Sequence, residues 1–161
     1  MKPLIRLLLF LALSTTLASP AAAQQTITPQ AQSQINIARK LINDKRNSAI
    51  AFNIKLTKGE KEKFWPLYRE YRAKMFAVGD KKIALIAEYA NNIDAMNENT
   101  AAKLLDNYFY AEKKTVKIKQ DYARKFRRIL PASKVVRLMQ IESRMDTMVA
   151  MKTAEGIPLM E

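Results

Sequence analysis

The side chains of this chain that could do chemistry are thioethers, carboxylates and cations, because its 161 residues include no histidine and no cysteine. The commonest general base, the commonest metal ligand and the thiolate nucleophile are all missing from its repertoire. Met139, Met145, Met148 and Met151 crowd one stretch, the last three at i, i+3 and i+6. Thioethers so gathered suit Cu(I) in a cell envelope. They also make an adaptable apolar face that re-packs against varied partners. Position i+6 begins to leave a helical face and no His or Cys assists a metal, so the second reading is the simpler one, and no metal or other cofactor is expected. The 15 acidic residues are dispersed. No nucleophile elbow, phosphate loop or dinucleotide fingerprint is present. These residues predict a binding protein, not an enzyme.

The cations are concentrated. From Lys113 to Arg128, eight basic residues stand against Asp121 alone. Lys113, Lys117, Arg124, Lys125, Arg127 and Arg128 are the candidates for long-range attraction of a partner. Aromatic residues among and near them (Tyr108, Phe109, Tyr110, Tyr122, Phe126) could track a nucleic-acid backbone. An export signal, described below, argues against nucleic acid. A solvated basic face, an anionic lipid or polysaccharide surface, and an acidic polypeptide remain.

These residues need elements to hold them. Leu104, Tyr108, Ala111, Thr115, Ile118, Tyr122, Phe126 and Ile129 recur in steps of three and four, one face of a long helix that starts after Asn99 or Thr100 and runs to Leu130. Before it, Leu56-Thr57-Lys58-Gly59-Glu60 reads as a capping box, opening a helix striped by Phe64, Tyr68, Tyr71, Met75, Val78, Leu85 and Tyr89. Pro66 predicts either a helix start near Trp65 or a bend. Trp65 lies one step off the stripe, either packed under the first or fourth helix or exposed as a contact. The polar segment from Asn91 to Asn99 predicts a turn, so the two long helices run antiparallel. That pairing sets Phe64 and Trp65 near Phe126 and Ile129. A shorter first helix is expected over 35–52, with Ile37, Leu41, Ala49 and Phe52 as its stripe. Pro131 stops the third helix and opens a fourth, striped by Val135, Leu138, Ile141, Met145, Met148 and Met151 or Lys152. No alternating strand pattern occurs. The expected fold is all-α, four helices around a long antiparallel central hairpin.

The amino-terminal stretch reads as a secretory signal peptide: Lys2 and Arg6, the apolar run Leu7 to Leu13, then Ala21-Ala22-Ala23, with cleavage expected between Ala23 and Gln24. The apolar run is shorter than the roughly 20 residues a membrane anchor needs. Residues 24–34 read as a flexible leader, 35–155 as one helical domain and 156–161 as a tail. Without Lys2 and Arg6, 26 basic residues face 15 acidic ones, a net charge of +11. An exported chain without cysteines is held by packing alone.

Leu56-Thr57-Lys58-Gly59-Glu60 resembles the LTxxQ motif of the Spy/CpxP-like periplasmic proteins, with Glu60 where that motif has Gln. Leu130-Pro131-Ala132-Ser133-Lys134 falls where a second copy stands, with Pro131 for Thr and Lys134 for Gln. The phrases from Phe64 to Tyr71 and from Leu130 to Arg144 resemble a branch of exported helical proteins of the same layout. The resemblance implies an antiparallel homodimer with a cradle-like surface, acting as an ATP-independent chaperone, an envelope-stress modulator or a metal-resistance regulator. The last of these binds metal largely through histidine and is not expected here. On this reading the chain captures acidic or partly unfolded clients in the periplasm through the six cations above, together with Trp65, Met145 and Met148. The alternatives are docking on anionic lipid or polysaccharide, and an adaptor for the periplasmic domain of a signalling receptor.

Overall fold

The structure, a computed structural model, describes residues 29–155 and Ile157. The signal peptide, the first five leader residues and nearly all of the tail lie outside the described residues. Four helices account for almost everything described: α1 (Pro29–Asn53), α2 (Lys58–Asn92), α3 (Glu98–Phe126) and α4 (Ala132–Ala154), with one turn of 3-10 helix (Ile93–Ala95) between α2 and α3. No strand occurs among the described residues, so the fold is all-α.

The start of α2 is set by a reciprocal cap. The Thr57 backbone N–H donates to Oε2 of Glu60 at 2.7 Å, and the Glu60 N–H donates to the Thr57 hydroxyl at 3.3 Å. The Glu60 carboxylate also accepts from Lys134 at 2.6 Å, tying the start of α2 to the start of α4. Asn97 caps α3, accepting from the Thr100 N–H at 3.0 Å, so α3 begins slightly before the expected Asn99 or Thr100. It ends at Phe126, not Leu130. The residue before a proline is pushed out of the helical region. Helix 3 therefore winds down through i→i−3 bonds, Arg128 N–H to Lys125 at 3.1 Å and Ile129 N–H to Phe126 at 3.0 Å, before Pro131. Helix α2 starts at Lys58 and runs through Pro66 as one element, so a start near Trp65 is ruled out.

Helices α2 and α3 pair antiparallel along their length. Phe64 meets Phe126 with ring centroids 5.5 Å apart, Tyr71 meets Tyr122 at 5.4 Å, and Lys82 meets Glu112 at 2.5 Å. Partner numbers fall on α3 as they rise on α2. Helix α4 runs with α2, since Lys134 is level with Glu60 and Glu142 with Tyr68 and Arg72. Helix α1 runs against α2, since Arg46 shares a carboxylate with Arg72 while the earlier Arg39 reaches the later Asp80 at 2.5 Å.

The buried core gathers at the end where α2 begins and α3 finishes. Phe64, Tyr68 and Tyr71 stack there with Tyr122, Phe126, Leu130, Val135 and Leu138, and Ile50 and Ile54 close it from α1. Toward the hairpin tip the buried set thins to Val78, Ala111 and Ile118. Two expectations for the outer helices change. Helix α1 begins at Pro29 rather than at 35, because Pro suits a first turn and the Gln and Ala residues after it are good helix formers. Its buried face is Arg46 and Ile50, whereas Ile37, Leu41 and Phe52 point outward, Phe52 at 84% exposure. On α4, Glu142 takes the buried place after Val135 and Leu138, and the stripe fades into half-buried Ile141 and Met145 and exposed Met148 and Met151.

Candidate binding surface

A charged knot fixes α4 against the other helices. Glu142 is 1% exposed. Its carboxylate accepts from the Tyr68 hydroxyl at 2.5 Å, Arg46 at 2.9 Å, Arg72 at 3.0 Å and, at the limit of a hydrogen bond, the Tyr71 hydroxyl at 3.5 Å. One turn on, Asp146 accepts from Arg46 at 2.6 Å and pairs with Lys119 at 2.7 Å. All four helices therefore contribute to the knot. Burial pushes the Tyr68 and Tyr71 phenols well above their usual range, and the neighbouring Glu142 charge adds to it. Burial alone would raise the Asp146 carboxyl. Lys119 and Arg46 outweigh that and hold it below its usual range. With four donors on its carboxylate, Glu142 is a positioning residue that locks α4 to α1 and α2. Sequence reasoning missed it, although its signal was present. Val135, Leu138 and Glu142 stand at helical steps of three and four, and Phe64, Tyr68 and Arg72 at steps of four, each series placing a charge on a core stripe.

The six cations singled out from the sequence are all exposed, and the structure divides them. Lys117 and Arg124 both lean on Asp121, at 3.4 and 2.5 Å. Lys125 reaches Glu70 at 3.1 Å and lies 4.4 Å over the Tyr122 ring. Lys113, Arg127 and Arg128 have no carboxylate partner among the described residues. Trp65 is half-buried, edge-on to Phe64 at 5.0 Å and to Tyr68 at 5.9 Å, and packs on the core. Met145 is half-buried and Met148 is 61% exposed. The helix-start residues Leu56, Thr57, Glu60, Leu130 and Pro131 sit together at the core end, where Glu60 and Lys134 join them.

Between α3 and α4 runs an open apolar cleft. Ala123 and Arg127 line it from α3, and Val135, Val136, Met139 and Ser143 from α4. No carboxylate lines it. The α3 face continues past the cleft toward the hairpin tip. Leu105, Phe109, Val116, Ala123 and Arg127 follow one another in steps of four and seven, which keeps them on one side of the helix. Leu105, Phe109 and Val116 are each more than half exposed. Exposed cations stand one residue round from five positions of these two faces: Lys117 after Val116, Arg124 after Ala123, Arg128 after Arg127, Arg137 after Val136 and Arg144 after Ser143. The cleft is thus an apolar trough between two basic crests. Arrays of this kind attract acidic partners at long range and hold apolar surface at contact.

No family model, curated protein or solved structure matches the chain. Among the described residues, no helix is long and apolar enough to cross a membrane.

Proposed function

We propose that the chain is a non-enzymatic periplasmic binding protein of the Spy/CpxP-like kind, an ATP-independent chaperone or envelope-stress modulator that captures acidic or partly unfolded polypeptides. The observation that carries this reading is the juxtaposition on α3 of exposed apolar side chains with exposed cations. Leu105, Tyr108, Phe109 and Val116 lie outside the core, and Lys113, Arg127 and Arg128 lack partners among the described residues. The net charge of +11 on the chain from Gln24 to Glu161 raises encounter rates with acidic chains. The apolar patches then hold what the charge has gathered. Export through the amino-terminal signal and assembly as a homodimer belong to the same proposal.

The test is the light scattering of a denatured acidic protein diluted into buffer with and without an equimolar amount of the chain from Gln24 to Glu161, with no nucleotide. Suppressed scattering is expected. Capture should slow as salt rises from about 50 mM to about 500 mM, because screening shortens the reach of the basic face. Absence of suppression at every ratio would sink the chaperone reading.

A further inference from the structure

We infer that the α3–α4 cleft seats an amphipathic helix of an acidic partner, with the partner's apolar stripe in the trough and its carboxylates against the two crests. The inference rests on the binding-protein reading above and gives it a site and a ligand shape. The cleft's α4 wall runs from Ala132 to Ser143, which is about 16 Å at 1.5 Å per residue, or three turns of a docked helix. Apart from Arg127 and Gln140 its lining is small or apolar, and no acid stands in it to repel a partner's carboxylates. Arg124 and Arg128 crown one wall, and Arg137 and Arg144 crown the other. A partner helix with acid on both flanks of an apolar stripe meets cations on both sides.

Charge and shape exclude the competing occupants. A second copy of this chain laid cleft to cleft would bring two pairs of basic crests together, and like charges across an interface cost affinity. A bilayer surface is broad and needs apolar side chains on the crest. Here Ala123, Val135 and Met139 are recessed and the crests are charged, so only a narrow occupant reaches the floor.

The deciding experiment is fluorescence anisotropy of a labelled synthetic peptide of about 18 residues, five helical turns. It carries leucines on one helical stripe and glutamates on both flanks, and is titrated with the purified chain. A peptide of the same composition in scrambled order should bind at least about tenfold more weakly, because it keeps the charge and loses the stripe. Val136→Glu and Ser143→Glu change exposed positions that the fold does not need, and each should weaken binding about tenfold or more. Lys45→Gln removes the same unit of charge on α1 and should leave binding within about twofold. Equal binding of the scrambled peptide would overturn the inference. So would cleft variants that bind as tightly as the parent while aggregation suppression persists, a result that leaves the broader reading standing. Loss of both binding and suppression in the parent would remove the two together. Peptide bound in the cleft without suppression would support the cleft and sink the chaperone reading. If Val136→Glu instead converts a dimer to a monomer, or releases the chain from phosphatidylglycerol vesicles while the peptide still binds, the occupant is a second copy or lipid and the inference fails.

Discussion

Tyr68 on α2 and Glu142 on α4 share a 2.5 Å hydrogen bond in the interior, and the same carboxylate holds Arg46 and Arg72. One anionic group therefore balances two guanidiniums, with Asp146 taking the second half of Arg46. Replacing Glu142 by Ala leaves both arginines buried and short of charge. The expected cost is about 3–5 kcal/mol, the usual penalty for breaking a buried pair. Glu142→Gln keeps the shape and an acceptor for Tyr68 and should lose less. Urea midpoints followed by far-ultraviolet circular dichroism check the order, and a Glu142→Ala protein as stable as the parent would refute the knot's structural role.

The alkaline limit of the fold follows from three phenols. Tyr68 and Tyr71 are raised by burial and then by Glu142. Tyr122, which donates to Glu70 at 2.5 Å, is pushed up to about 12 by burial and then by that carboxylate. A folded-state value above the unfolded one means the native state holds the proton more tightly. The stabilisation is complete below the unfolded value of about 10 and disappears as pH rises through the folded values. Helix loss and the phenolate absorbance of these three residues should therefore appear together above about pH 10. Ionisation of all six tyrosines near pH 10 with the helices intact would contradict it.

The acid limit has the opposite sign. Glu60 is held low by the hydrogen bond from Lys134 and then by the Thr57 N–H, and Glu70 by the Tyr122 hydroxyl and then Lys125. Together with Asp146, these depressed carboxyls contribute stability that is present above about pH 4 and lost as pH falls through their folded values. Lys134→Met should raise the Glu60 value, measured by carboxyl carbon NMR, and move the acid transition to higher pH. An unchanged Glu60 titration would dissociate it from Lys134.

Gly79 lies inside α2 with no positive φ, and a Cβ built there meets nothing within 4 Å. Gly79→Ala should therefore stabilise the protein by about 0.5–1 kcal/mol, the helix-interior difference between the two residues. Thermal melting reads it directly. A lower midpoint would mean that α2 needs to flex there.

Thr57→Ala removes the hydroxyl half of the cap and should cost about 1 kcal/mol. The Thr57 N–H to Glu60 bond survives the change. Thr57→Ser should recover most of the loss, which separates the hydroxyl's role from that of the methyl group.

The hairpin was legible because its determinants are local. Phe64, Tyr68 and Tyr71 on α2, and Ile118, Tyr122 and Phe126 on α3, are large, mostly apolar and spaced at three or four, and Pro131 and the polar Asn91–Asn99 segment mark the ends. The stripe of α1 was misread because Arg46 is buried and Phe52 is not, and a residue's type alone does not disclose a carboxylate 96 positions away. The basic residues of the surface were readable in type. Lys117 and Arg124 pair locally with Asp121, but Lys125 pairs with Glu70 and Lys119 with Asp146, carboxylates that arrive from other helices. The cleft was illegible for a related reason. Ala123, Val136 and Ser143 form no strong hydrophobic pattern, and what sets α4 beside α3 is the Lys119–Asp146 contact and the Glu142 knot, both long-range.

Helix α1 is 25 residues long, yet among its described side chains only Arg46 and Ile50 are buried, both in its final third. Its amino-terminal half is attached through Arg39 and half-buried Ile35 and Ile42. Elements with so little interior surface open at a fraction of the global unfolding free energy. Amide hydrogens from 29 to about 42 should therefore exchange before those of α2 and α3, as a separate foldon that frays from its free end. The chain thus behaves as a firm hairpin with a detachable strap. When that strap lifts as far as Arg46, Glu142 loses one of its two guanidiniums, and the local opening becomes a first step toward global unfolding.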